Sequence, residues 1–150
     1  MKLEISYKKI KNAISLIDKV ASKHQTLPVL SCILIDVSKN TAVFKATNLD
    51  VGVEVSVPLK STTEGVIAIP AHTISSFLSQ ITNPNQTITI EVIPGNAHIK
   101  TDKSRGVIKT LAPEDFPSIP KVQGGQEYSF SPKDFIDGLN SVSYSASVSS

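Results

Sequence analysis

The side chains that build metal sites and nucleophilic enzymes are sparse in this chain. Histidines stand at 24, 72 and 98, and the one cysteine is Cys32. They do not combine with one another or with carboxylates into a zinc signature, so no metal is expected. Cys32 lies in the apolar run "LSCILIDV", where a cysteine reads as a small buried hydrophobe rather than a nucleophile. His24 with Cys32 is the nearest approach to a base and a thiol. The acidic pairs Glu114–Asp115 and Asp134–Asp137 fall in a proline-rich stretch and at a helix start, where the helix dipole favours acids. The seven glycines are scattered and form no phosphate-cradling loop. The expectation is a protein that is not an enzyme, with no catalytic residue and no cofactor.

Cations offer a different chemistry. The chain nets only +2, but residues 1–25 hold six lysines against Glu4 and Asp18, a local +4 that leaves the remainder at −2. The apolar residues Tyr7, Ile10, Ile14, Ile17 and Val20, with Ala13, recur at helical spacing from about Lys8 to about Ala21. Lys8, Lys11, Asn12, Ser15, Lys19 and Ser22 then share the opposite face. Such a face is either a solvated surface or a contact for an anion. Lysine, a flexible and strongly hydrated point charge, suits phosphates whose positions are not fixed.

The elements that must position this face repeat along the chain. Leu3, Ile5, Ile10, Ile14 and Ile17 reappear 64 residues later as Ile67, Ile69, Ile74, Leu78 and Ile81. A further step of 61 gives Tyr128, Phe130, Phe135, Leu139 and Val142. In each set the first two positions alternate like a strand and the last three lie on one helix face. The stretches 30–37, 41–47 and 51–58 read as strands divided by Lys39-Asn40 and Asn48-Leu49-Asp50. The segments "QTITIEVI", "AHIKTD" and "GVIKTLA", separated by turns at Pro94-Gly95-Asn96 and Lys103-Ser104, repeat the plan. Two β-α-β-β-β units with antiparallel sheets give an α+β domain over residues 1–120. The prolines and paired glycines of 111–126 cannot propagate a regular element, so the run reads as a linker, with the domain boundary set at 121–126. Residues 127–150 then read as the beginning of a second domain, cut short.

The chain is 40% hydrophobic and 19% charged, enough for a globular core. No apolar run approaches the roughly 18 residues that would span a membrane. The opening stretch is interrupted by Lys8, Lys9, Lys11 and Asp18 and does not read as a signal peptide. A lone cysteine fits a reducing cytoplasm.

Four segments together resemble the bacterial sliding clamp, the beta subunit of DNA polymerase III. They are "TLPVLSCILIDV" (26–37), "ATNLDVGVEVSVP" (46–58), "GVIAIPAHTISSFL" (65–78) and "KSRGVIKTLAPEDFPSIP" (103–120), in the family's order and spacing. The resemblance implies a processivity factor. Three such domains per subunit and two subunits head to tail would form a homodimeric ring around double-stranded DNA, with helices lining the hole and sheets outside. It also implies a replicative DNA polymerase and an ATP-driven clamp loader as partners.

By that resemblance Lys8, Lys11 and Lys19 face DNA. Lys23 and His24 precede "TLP", where the family carries a basic contact, and His72 occupies a second such position after Pro70-Ala71. The subunit interface is implied at the end of the second helix and the "KSR" strand, here Phe77, Ile81, Lys103, Arg105 and Ile108. The family's partner-peptide pocket lies between later domains and is not assigned. The alternative reading is a protein-interaction module that binds no DNA, in which the lysines only solubilise.

Overall fold

The computed structural model describes residues 1–21, 27–121 and 123–146. The chain divides into two compact units, Met1–Ile119 and Pro120–Ser150.

The first unit opens with strand β1 (Lys2–Ser6) and helix α1 (Tyr7–Ile17), followed by β2 (Cys32–Ser38), β3 (Thr41–Thr47), β4 (Gly52–Pro58) and β5 (Lys60–Thr63). The plan then restarts with β6 (Gly65–Pro70), α2 (Ala71–Ser79), β7 (Thr87–Ile93), β8 (Asn96–Lys100) and β9 (Arg105–Lys109). The helices begin at Tyr7 and Ala71, the same offset of 64 that the apolar pattern carries. Ile10 and Ile14 of α1 are buried, as are Ile74 and Leu78 of α2, so these repeat positions share one helix face, whereas Ile81, the counterpart of Ile17, lies beyond the end of α2 and is half-buried.

The nine strands form two antiparallel sheets, ordered β5-β1-β7-β8-β9 and β4-β3-β2-β6. The first strand of each repeat joins the other repeat's meander. β1 pairs with β7, setting Leu3 opposite Ile90 and Ile5 opposite Ile88. β6 pairs with β2, setting Ile33 opposite Ile69 and Ile35 opposite Ile67. The alternation that points these side chains inward is the period-2 geometry of a strand. α1 lies against β1, β3 and β4, α2 against β6 and β9, and the helices touch each other. One core collects the buried faces of both sheets and both helices.

Each repeat also crosses to the opposite sheet after its last strand. After β4 the chain runs through Leu59 into β5, which pairs with β1. After β9 it makes a single bridge from Leu111 to Ala68 of β6, and Pro113, which lacks an N–H, allows no further ladder. Lys9 braces the first crossing by donating to the Pro58 carbonyl at 3.1 Å.

Some elements differ from the sequence reading. α1 ends at Ile17 rather than near Ala21, because the Val20 N–H closes back on the Ile17 carbonyl at 2.9 Å in a tightened turn. Residues 30 and 31 belong to a 3-10 turn, Pro28–Ser31, started by a proline and closed by the Ser31 hydroxyl on the Pro28 carbonyl. β5 was not expected, since "KSTT" has no apolar alternation. The stretch 111–119 is no free linker. Leu111 and Phe116 pack on a small second cluster of Val29, Cys32 and Ala68, and Ile119 lies over Gly52.

In the second unit, helix α3 spans Pro132–Ser143. Residues 127–130 form no strand, although the apolar alternation is present; an extended segment becomes a strand only against a partner. Phe130 stacks on Phe135 with ring centroids 5.6 Å apart. Phe135, Leu139 and Val142 are all more than half exposed.

Burial on α1 predicts a contrast. Ile14→Ala should cost about 2–5 kcal/mol, because a buried methyl cluster is lost and a cavity remains. Leu16→Ala, on the exposed side, should stay within about 0.5 kcal/mol. Urea unfolding of the two variants with a common slope checks this.

Candidate nucleic-acid interface

The face of α1 turned away from the core carries Lys8 and Lys11 beside the exposed Leu16, and that of α2 is polar, with His72. Neither helix contains an aspartate or glutamate, and neither has an acid in its first turn. The positive helix N-termini are therefore not neutralised locally, which favours an approaching anion. Lys8 and Lys11 are exposed on α1, Lys19 is exposed in the turn after it, and His72 is exposed in the first turn of α2. Among the described residues the ion pairs are Lys45–Glu54 at 3.2 Å and Lys100–Glu91 at 3.5 Å, so neither ties up these lysines. Lys23 and His24 lie outside the described residues.

The lysines of α1 do not all serve one face. Lys9 reaches to Pro58, whereas the Lys11 ammonium sits 5.2 Å from the centre of the Tyr7 ring. Tyr7 is buried and donates its hydroxyl to the Leu78 carbonyl at 3.1 Å, joining the start of α1 to the end of α2. Its backbone N–H donates to the Gln86 carbonyl at 3.0 Å. Gln86, itself buried, donates to the Asn83 carbonyl and accepts from the Asp102 N–H. These bonds fix the spacing of the two helices.

A second surface lies at the end of the five-stranded sheet, where β9 is the outer strand. Lys103 and Arg105 are exposed there, and Ile81 is half-buried against the core. Phe77 is also half-buried; its ring approaches Gly106 so closely that a Cβ there would stand 2.8 Å from the ring edge. Ile108, expected at the interface, turns inward. It is 5% exposed, pairs across from Ala97 on the inner face, and belongs to the core. Val107, 62% exposed, is the apolar side chain that β9 turns outward. Two adjacent apolar residues in "RGVIK" leave the parity of the strand open, and only its register against β8 decides it.

Among the described residues no group of three or more histidine, cysteine or acidic side chains could hold a metal. No described helix is long and apolar enough to cross a membrane. Cys32 is buried on the outer face of the four-stranded sheet, under the 3-10 turn and the 111–116 stretch. Burial pushes its thiol pKa up, and a hydrogen bond with Ser31 offsets part of that.

Comparison with known proteins places these features. The family described as DNA polymerase III beta subunit, N-terminal domain, matches residues 1–120. A beta sliding clamp of Synechocystis sp. is 28% identical over 99% of this chain, and one of Chlamydia pneumoniae is 26% identical over 98%. The chain spans about 40% of the length of either relative. The crystal structure of the DNA polymerase III subunit beta from Pseudomonas aeruginosa superposes with a TM-score of 0.87 at 25% identity, covering 93% of this chain and 38% of that one.

The buried thiol yields a prediction. Iodoacetamide should label Cys32 slowly in the native chain and fully in denaturant, as followed by mass spectrometry; rapid native labelling would mean that the covering turn opens. The strand exchange, the paired helices and the match over 1–120 lead to one conclusion: the chain belongs to the DNA polymerase III beta subunit family, as a member of its N-terminal domain.

Proposed function

We propose that the chain is the first domain of a cytoplasmic sliding clamp, a ring that encircles duplex DNA and keeps a replicative polymerase on its template. The observation that carries the reading is the pair of acid-free helices with Lys8, Lys11 and His72 exposed on them and Lys19 exposed in the turn after α1. Its mechanism is topological. A closed ring cannot leave circular DNA even when each contact is weak. Contacts to phosphates carry no sequence information, so a lysine-rich lining lets the ring slide. Lys23 and His24 join this lining in the proposal. The reading assigns no catalysis to the chain and leaves ring opening to a separate loader.

Residues 127–150 begin a second domain in this reading. What supports it is the exposed apolar face of α3, together with alignment of the relatives over nearly all of this chain. The outer edge of β9 is the proposed subunit interface, with Val107 as apolar anchor, Phe77 and Ile81 behind it, and Lys103 and Arg105 as a cationic rim. An unpaired edge strand offers backbone hydrogen bonds to another chain, and the rim selects an acidic partner surface.

Three measurements test the proposal on the full-length protein. It should be retained on circular but not on linear duplex DNA; equal release from both would leave a module without a ring. Replacing Lys8, Lys11 or Lys19 with alanine should each lower the slope of log affinity against log salt by about 0.9, equally for all DNA sequences. Arg105→Glu with Val107→Asp should shift the dimer towards monomer in ultracentrifugation, and an unchanged dimer at dilute concentration counts against the β9 edge.

A further inference from the structure

We infer that Tyr7 is a positioning residue for Lys11, holding its ammonium ready for a phosphate; this rests on the reading that α1 faces DNA. Tyr7 is only 4% exposed and is held at three points. Its N–H donates to the Gln86 carbonyl at 3.0 Å, its hydroxyl donates to the Leu78 carbonyl at 3.1 Å, and its ring lies beneath Lys11. A ring bonded at its far end cannot turn away, so the face it offers is a fixed one. Lys11 follows one helical turn later, and helical side chains lean towards the N-terminus, which brings its stem back over the ring. The 5.2 Å from Nζ to the ring centroid is within cation–π range.

The arrangement matters because of lysine's flexibility. A four-carbon stem loses rotamer freedom when its head is fixed on a phosphate. The ring pays that loss in advance while covering only one side of the ammonium. The exposed remainder keeps donors for an anion. The other exposed lysines of this face, Lys8 and Lys19, have no ring contact among the described residues. Lys11 is thereby the prepositioned cation of the set. The Leu78 carbonyl stands in the last turn of α2, so the Tyr7 hydroxyl also sets Lys11 relative to the second helix.

The test is a double-mutant cycle on the full 150-residue chain, titrated with a short duplex at low salt and followed by NMR. Tyr7→Leu should weaken binding by roughly two- to fivefold, the range expected when part of one lysine's ordering cost is no longer offset by the ring. The same change in a Lys11→Ala background should have no further effect. Tyr7→Phe, which keeps the ring, should restore most of the affinity. Should Tyr7→Leu fail to fold, a fluorinated phenylalanine at position 7 preserves the shape and removes the ring's negative face; it should reproduce the loss relative to Tyr7→Phe. The ε-methylene protons of Lys11 should show a ring-current shift in the native chain that Tyr7→Phe retains. If Lys11→Ala weakens binding but ring removal costs the same in both backgrounds, or tightens binding, the positioning role is overturned while the DNA-facing reading stands. If Lys11→Ala leaves binding unchanged, Lys11 is no contact and both fail at this residue.

Discussion

The exchange of first strands between the two repeats is the constraint on which the rest of the molecule depends. β1 hydrogen-bonds to the second repeat's meander and β6 to the first's, so neither repeat has a complete sheet alone. Side chains alternate with a period of two, and a slip of one residue in either pairing would turn Leu3 and Ile5, or Ile67 and Ile69, out of the core. Both helices follow directly from these exchanged strands, Ser6 into Tyr7 and Pro70 into Ala71, so the registers also set where the helices begin.

From that constraint comes a division of labour among charges that look alike in sequence. Lys8, Lys9 and Lys11 are near neighbours on one helix. The direction in which each side chain leaves the helix axis separates them: Lys9 turns towards the strand crossing and bonds Pro58, while Lys11 folds over Tyr7. The missing acids on α1 and α2 then acquire meaning, because the two helices stand together and their fields add. An isolated amphipathic helix with the same residues would simply be solvated.

The outer faces of the sheets show how the chain handles surplus apolar surface. On the four-stranded sheet, Cys32 and Ala68 would be exposed, but the 3-10 turn and the stretch after β9 cover them. On the five-stranded sheet, Val107 has no such cover and stands beside charged neighbours. Charge on an edge strand discourages indiscriminate pairing, and Arg105 and Lys109 bracket Val107 on this one.

Much was legible in the residues alone. The repeat offset of 64, the buried face of α1 and the turns at Lys39-Asn40 and Pro94-Gly95 all follow from local periodicity and turn chemistry. Positive φ at Lys39, Asn40 and Gly95 is what those hairpins require. So too was the clustering of cations in the first helix, which composition and helical spacing suffice to place. Tertiary structure alone decided the strand exchange, because any of several apolar strands could have paired with β1. It decided β5, whose polar sequence becomes a strand only because β1 offers an edge. It decided that Ile108 faces inward and Val107 outward, a parity set by register with β8. And it decided the partners of Tyr7, since a hydroxyl bond to Leu78 joins residues far apart in the chain, where no local pattern can report it.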